Sequence, residues 1–264
     1  MQKTVTQVGA PDPGFRIRKN DRTMVLGSCF ATQMGRKMAE AGFDVCLNPF
    51  GTIFNPASIR SSIERMESAR PFTPGECVEM GAGAGKICSF SHHTSFARQE
   101  SGDFLEVANS ALAVASQYWK ESSFVILTLG TAFVWKHLPT GQIVSNCLKR
   151  PGYEFSHEML GVEQIAAMLQ KTVEENPGKR FIFTVSPIRH LGDGAHANTL
   201  SKSTLQLAIN SLKAPNTTYF PSYEIMLDEL RDYRWYGADL VHPTEDAIDI
   251  IWRKFRDGIL SDAA

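Results

Sequence analysis

Two adjacent side chains near the start of the sequence are candidate nucleophiles. Residues 24–31 read Met-Val-Leu-Gly-Ser-Cys-Phe-Ala, which predicts a short apolar strand, a glycine turn and the start of a helix. A group at a helix N-terminus lies near free backbone N–H groups and the positive end of the helix dipole, which stabilise a thiolate or an oxyanion. Ser28 and Cys29 both have this position. The same pattern also fits a phosphate-binding turn or a plain structural turn.

A second pair of chemically active side chains lies near the end of the sequence, where Asp239 is followed three residues later by His242. Pro243 favours an extended conformation at His242, and Thr244 is a good N-cap for a helix with acidic residues in its first turn. A nucleophile needs a nearby base and an acid that orients the imidazole, and His242 and Asp239 have these side chains. A capped helix with an incidental histidine is the alternative, but the strand-turn-helix containing Cys29 favours a catalytic pair.

Other polar residues follow predicted strands or begin predicted helices. Arg189 and His190 follow a buried strand, so they either contact substrate or form structural hydrogen bonds. Lys202 either faces the same cleft or lies on an exposed first turn. The adjacent His92 and His93 lack the spacing of a metal-binding pair, so we predict no metal and no cofactor. The aromatic and arginine-rich residues 219–236 favour packing with Arg–carboxylate pairs, with stacking on a sugar ring as the alternative.

Apolar runs between turn residues predict an alternation of strands and helices. The predicted strands are Thr23–Leu26, Phe43–Leu47, Phe124–Leu129, Arg180–Val185 and Thr217–Phe220. The predicted helices are Phe30–Ala41, Ala57–Met66, Phe104–Lys120, His157–Glu175, Thr199–Leu212 and Thr244–Ile259. Such alternation predicts an α/β fold with a parallel sheet between helices, and it places ligands outside the carboxyl ends of the strands.

The interval between residues 71 and 100 breaks this alternation, because it contains several glycines and no helical period. We interpret it as a loop insertion or lid within a single domain that covers residues 1–264. Residues 80–86 do not form a P-loop, since Ile87 follows Lys86 where the motif needs serine or threonine. A flexible loop is therefore the interpretation.

Composition and charge exclude several classes of partner. The chain has 27 Lys and Arg residues against 28 Asp and Glu residues, so no strong field favours nucleic acid or an anionic membrane. We therefore expect a small-molecule substrate. No apolar run spans a bilayer or resembles a signal peptide, and five cysteines without a C-x-x-C pair fit reduced thiols in the cytoplasm. The sequence does not indicate an oligomeric state.

Residues 27–31, Gly-Ser-Cys-Phe-Ala, carry a resemblance to a known family. They spell the motif after which the GSCFA family is named, a bacterial branch placed in the SGNH/GDSL hydrolase superfamily. The similarity extends over nearly the whole chain. Its further segments are residues 48–56, 128–132, 183–190 and 239–243.

This resemblance implies a three-layer α/β/α sandwich with a flavodoxin-like parallel sheet, and ester chemistry by a nucleophile, a histidine and an aspartate. The first segment of the superfamily reads Gly-Asp-Ser and its serine attacks, so alignment on Gly27 puts Cys29 at the attacking position. Ser28 then stands at the aspartate position and is the alternative nucleophile. The implied activity is that of an acyl-ester hydrolase or O-acyltransferase acting on a small acyl ester or an acylated carbohydrate. The alternative is a non-catalytic domain that binds a small molecule or carbohydrate.

The resemblance also implies an oxyanion hole made by the nucleophile's own N–H, a glycine of the second segment and an asparagine of the third. Gly51 matches the glycine, but Ala132 stands in place of the asparagine. A lost donor of this kind costs about 3 kcal/mol of transition-state stabilisation. Asn48 and Asn55 are therefore candidate replacements. The residues assigned to oxyanion or substrate binding are Gly51, Asn55, Gly130, Thr131, Arg189 and His190.

Overall fold

A five-stranded parallel sheet lies at the centre of the computed structural model, which describes residues 5–261. Its strands, in spatial order, are β10 (Thr217–Tyr219), β9 (Arg180–Val185), β5 (Phe124–Leu129), β1 (Thr23–Gly27) and β2 (Val45–Leu47). Every residue of β1 and β5 is buried. Parallel strands covered on both faces need such continuous apolar runs, which explains why the sequence pattern identified these strands.

Helices cover both faces of this sheet. They are α1 (Cys29–Glu40), α2 (Pro56–Ser68), α3 (Ser101–Glu121), α4 (Val162–Glu174), α5 (Gly194–Asn210), α6 (Ser222–Glu224) and α7 (Glu245–Ile259). Met24 and Leu26 of β1 pack in one apolar cluster with helices α2 to α5. Val25, which points to the opposite face, packs in a second cluster with α1 and α7. The prediction of a three-layer α/β/α sandwich is confirmed.

Two predicted helices are wrong at their N-terminal ends. Helix α5 begins at Gly194, before the predicted Thr199. For helix α4 the sequence pattern predicts a start at His157, whereas Phe155–Met159 forms strand β8 and α4 begins at Val162. Strand β8 pairs with β6 (Phe133–His137), which also pairs with β7 (Gln142–Val144) in a separate antiparallel sheet. Pairing with β6 decides the structure of β8, and such contacts between distant segments are not visible in local periodicity.

The segment between residues 71 and 100 contains a buried histidine, His92. Strands β3 (Val78–Glu79) and β4 (Ile87–Cys88) form a short antiparallel pair. The ring of His92 packs at centroid distances of 4.6–5.4 Å against four aromatic rings. Burial lowers the pKa of His92 to about 4, so this imidazole is neutral at neutral pH. The four rings belong to Phe50, Phe72, Phe96 and Phe104.

Helix α6 continues into a π-helical turn at Ile225–Glu229, a wider turn than that of an α-helix. No helix within the described residues combines the length and the apolar character needed to cross a bilayer.

Candidate active site

The turn between β1 and α1 buries one candidate nucleophile and exposes the other. Gly27 has a φ of +144°, and a Cβ there would lie 2.3 Å from a backbone oxygen of β5, so the close approach requires glycine. Ser28 is buried at the N-cap of α1, where its Oγ accepts from the amide of Phe30 at 3.3 Å. The same Oγ donates to Ser186 Oγ at 3.0 Å. Cys29, the first helical residue, is exposed.

Asn48 ties the loop after β2 to this turn. Its Oδ1 accepts from the amide of Gly27 at 2.8 Å, and its Nδ2 donates to Thr32 Oγ1 at 3.0 Å. Its φ of +43° is a left-handed conformation that asparagine tolerates better than most residues. The side-chain amide of Asn48 therefore holds the turn between β1 and α1 in place.

The second-segment residues lie in the same loop and are engaged in local contacts. Gly51 has a φ of +82°, and its amide donates to the carbonyl of Asn48 at 2.8 Å. Asn55 is the buried N-cap of α2, where its Oδ1 accepts from the amide of Ser58 at 2.8 Å and its Nδ2 donates to Ser58 Oγ at 2.9 Å. In this arrangement the Gly51 amide and the Asn55 side chain both stabilise backbone structure.

The third segment follows β5 and is held by α5. The amide of Gly130 donates to the carbonyl of Phe54 at 2.7 Å. The Thr131 hydroxyl lies 3.0 Å from Ser201 Oγ, and the amide of Ala132 donates to the same oxygen at 2.8 Å. Thr131 and Ala132 are both buried. These contacts fix the end of β5 against the helix.

The segment after β9 holds the loop that contains the Asp–His pair. The backbone amide of Arg189 donates to the carbonyl of Val241 at 3.2 Å, and its Nη1 donates to the carbonyl of Leu240 at 3.0 Å. The amide of His190 donates to Asn198 Oδ1 at 2.9 Å. Arg189 and His190 therefore have structural hydrogen bonds, and contact with substrate stays a prediction.

Asp239 and His242 form a hydrogen-bonded pair. His242 Nδ1 lies 2.6 Å from Asp239 Oδ2, while Asp239 Oδ1 accepts from the amides of Val241 at 2.9 Å and His242 at 3.0 Å. These three hydrogen bonds to the charged form lower the pKa of Asp239 to about 2. Leu240, between them, has a left-handed φ of +55°. Both side chains of the pair are about half exposed, at 52% and 50%.

His190 packs against the end of β5, and it follows Arg189, which is bonded to the loop of the Asp–His pair. A Cβ on Gly130 would lie 3.2 Å from His190 Nε2, and this nitrogen is buried with no hydrogen-bond partner among the described residues. Burial, together with the charges of Lys202 and His242, lowers the pKa of His190 to about 4. The His190 imidazole is therefore neutral at neutral pH.

A cavity of about 390 Å³ opens beside the same loop. The Arg189 guanidinium forms one wall, with its Cζ 5.9 Å from the ring centroid of Tyr233 and 5.5 Å from that of Tyr236. Residues of the π-helical turn form another wall, and such turns are frequent at functional sites. Tyr236 also pairs with Pro243, so the cavity and the loop share structural elements.

The structure thus gathers the segments that carry the predicted site residues at the carboxyl ends of β1, β5 and β9. Lys202, for which an exposed first turn was one alternative, is fully buried within α5. Sequence reasoning missed Ser186 as the partner of Ser28, and Asn198 as the partner of His190. The position of Ser186 directly after a predicted buried strand was a usable signal. Among residues 5–261, no three His, Cys, Asp or Glu side chains form a group that could hold a metal ion.

The fold and this site define an α/β protein with a Gly-Ser-Cys turn after its first strand and an Asp–His pair before its last helix. The sequence model of the GSCFA family matches residues 22–255, and the chain therefore belongs to the GSCFA family. No curated protein and no solved structure matches the chain.

Proposed function

We propose that this protein is an acyl-ester enzyme of the SGNH type, with Cys29 as nucleophile, His242 as general base and Asp239 as the group that orients His242. The observation that carries the proposal is the 2.6 Å hydrogen bond between Asp239 Oδ2 and His242 Nδ1. This bond fixes the proton on Nδ1 and leaves Nε2 as the basic nitrogen, which is the arrangement that a nucleophile–histidine–acid triad requires.

Exposure and hydrogen bonding favour Cys29 over Ser28 as the nucleophile. Ser28 Oγ is buried, caps α1 and already donates its proton to Ser186. The Cys29 side chain is exposed at the first position of α1. Its amide is one of the first-turn N–H groups that have no partner within a helix, so it can also donate to an oxyanion.

The proposed reaction has two steps. In the first, His242 Nε2 takes the Cys29 proton as sulfur attacks the carbonyl carbon, and the tetrahedral oxyanion forms beside the N-terminus of α1. The carbon–oxygen ester bond then breaks and the imidazolium protonates the departing alkoxide. In the second step His242 deprotonates water or an acceptor alcohol, which attacks the thioester and releases the acyl group and the Cys29 thiol.

The cavity beside Arg189 is the proposed binding place for the part of the substrate next to the ester. Its volume of about 390 Å³ lies in the range of small-molecule sites. Tyrosine rings and guanidinium groups can pack on and hydrogen-bond to a hydroxylated ring, which supports an acylated carbohydrate or another small acyl ester as substrate. The proposed compartment is the cytoplasm, because five cysteines without a C-x-x-C pair fit reduced thiols.

One observation favours a non-catalytic binding domain as the second candidate. Ala132 has no side-chain donor, and the Gly51 amide is already bonded to Asn48. A site with one remaining oxyanion donor would stabilise a transition state weakly, since each lost donor costs about 3 kcal/mol. The same cleft would still bind a ligand.

A covalent adduct distinguishes the two candidates. The protein is mixed with p-nitrophenyl acetate at neutral pH, and intact-mass and peptide mass spectrometry locate any acetyl group. We expect acetylation of Cys29, its loss in Cys29→Ala, and slower formation and turnover in His242→Ala. Cys77→Ala, which removes a different partly exposed cysteine, is the matched control and should acylate like the unchanged protein. No adduct and no turnover would favour the binding domain.

A further inference from the structure

Lys202 connects the ends of two central strands from a fully buried position. Its Nζ donates to the carbonyl of Gly130 at 2.6 Å and to the carbonyl of Ser186 at 2.8 Å. Gly130 and Ser186 directly follow Leu129 and Val185, which are paired across β5 and β9. The ammonium group therefore fixes the spacing of both strand ends at the edge of the sheet where the candidate site lies.

Lys202 is buried without a compensating negative charge among the described residues. No carboxylate forms an ion pair with Lys202 in the described part of the chain, and the charged or titratable groups that face it are His190 and Tyr223. Burial lowers the pKa of Lys202 to about 7. Replacement of a buried ion pair by apolar residues is often neutral or stabilising, but Lys202 has no ion-pair partner among the described residues, and its loss would leave two buried carbonyls without a donor. The ammonium group therefore stabilises both strand ends, and these ends lie at the edge of the sheet that carries the candidate site.

We infer that Lys202 is a positioning residue for the reaction at Cys29, an inference that rests on the proposed function. It acts through two short chains of contacts. The first runs from Lys202 to Ser186, whose Oγ accepts the hydrogen bond from Ser28, the neighbour of Cys29. The second runs from Lys202 to Gly130, which packs against the ring of His190, and the adjacent Arg189 donates to the carbonyls of Val241 and Leu240 in the loop of the Asp–His pair. Lys202 is thus connected both to the turn that carries Cys29 and to the segment that holds the loop of His242.

Lys179 provides a matched control within the same sheet. Like Lys202 it is buried, its Nζ donates to backbone carbonyls, here those of Trp119 and Ser122, and burial lowers its pKa. It directly precedes β9 and therefore lies at the opposite, amino-terminal edge of the sheet. Removing either ammonium leaves buried carbonyls without a donor, but only Lys202 is connected to the candidate site.

The test compares Lys202→Met, Lys202→Arg and Lys179→Met with the unchanged protein. Stopped-flow measurement of Cys29 acylation by p-nitrophenyl acetate gives a maximal rate and a half-saturating concentration, and urea unfolding gives stability. We expect Lys202→Met to lower the maximal rate by about 100-fold, as small misplacements of reacting groups do, with little change in half-saturation. Lys179→Met should keep the rate, and Lys202→Arg, which keeps the charge and the donors, should recover most of it.

The outcomes separate this inference from the proposed function. Acylation at the normal rate in Lys202→Met, or equal slowing in Lys202→Met and Lys179→Met, would overturn the positioning role while leaving the proposed reaction intact. No acylation of the unchanged protein would overturn both. If Lys202→Met does not fold, Lys202→Gln takes its place: its amide nitrogen lies one bond closer to the backbone than Nζ and does not bridge both carbonyls, so a normal rate there overturns the inference.

Discussion

Ser28 Oγ donates a hydrogen bond to Ser186 Oγ at 3.0 Å, and this bond joins the ends of two strands that are not neighbours. Ser28 follows β1 and Ser186 follows β9, while β5 lies between these strands in the sheet. The bond crosses the carboxyl end of β5 and is buried. Ser28 therefore stabilises the turn that contains Cys29. The two adjacent side chains differ in environment, since Ser28 is buried and hydrogen-bonded and Cys29 is exposed.

Substitution of these two residues should have opposite effects on stability and reactivity. Ser28→Ala removes an N-cap and a buried hydrogen bond, so we expect a loss of about 1–2 kcal/mol in the free energy of unfolding. Cys29→Ala changes an exposed side chain and should alter stability by less than about 0.5 kcal/mol. Urea unfolding measures both, and mass spectrometry after acylation should show an adduct in Ser28→Ala only. An adduct on Ser28 in the unchanged protein would contradict this division.

Gly27 should tolerate substitution much less well than a glycine with similar backbone freedom but open surroundings. In Gly27→Ala the new Cβ would lie 2.3 Å from the carbonyl oxygen of Thr128, so the strand end must move. Gly42 also has a positive φ, of +86°, but no atom within 4 Å of a Cβ. We expect Gly42→Ala to cost about 1 kcal/mol from backbone strain and Gly27→Ala clearly more, as measured by urea unfolding. Equal losses would show that the close approach to β5 is unimportant.

Asp239→Asn should change both acid stability and reactivity. Because the folded pKa of Asp239, about 2, lies below its ordinary value of 3.8, its stabilising contribution is present above pH 4 and is lost as the pH falls toward 2. The asparagine side chain has no such titration, so stability should fall less steeply in this pH interval. Acylation of Cys29 should slow by about 100-fold or more, because the imidazole loses its orienting acid. Parallel acid-unfolding curves would contradict the expected linkage.

His190 should contribute to a loss of stability on mild acidification. Its folded pKa of about 4 lies below the ordinary value of 6.5, so the unfolded chain binds more protons between these values and stability falls as the pH drops. One such histidine contributes at most about 1.4 kcal/mol per pH unit. Urea unfolding of His190→Gln between pH 7 and pH 4 should show a shallower fall, although buried His92 contributes a similar slope. A fall in His190→Gln as steep as that of the unchanged protein would contradict the expected linkage.

The sequence predicts the central sheet well because its strands are buried on both faces. β5 and β9 have the predicted bounds, since six consecutive largely apolar residues between turn signals have few other structures available in an alternating α/β chain. Strand β8 is different. Its alternating residues take their structure from pairing with β6 across the second sheet, and the long helix predicted from His157 ignored this pairing.

For the candidate site, the sequence predicts the residue types but not their contacts. Asp239 and His242 form the expected pair because three residues of separation on a loop fix their geometry locally. The contacts of Ser28 with Ser186, and of Lys202 with two strand ends, join segments more than a dozen residues apart. They depend on strand order, which no local pattern encodes. The hydrogen bond from the Gly51 amide to the Asn48 carbonyl is local. It depends on the positive φ angles of Asn48 and Gly51, which residue types alone do not specify.

The half-exposed Asp–His pair also bears on the fate of an acyl-enzyme. With about half of both side chains open to solvent, bulk water reaches the base without displacing any part of the protein. In an open site of this kind an alcohol must outcompete water for the thioester, and it can do so only by being bound beforehand. If the proposed reaction takes place, the choice between hydrolysis and transfer would depend on how long the protein retains a bound acceptor alcohol.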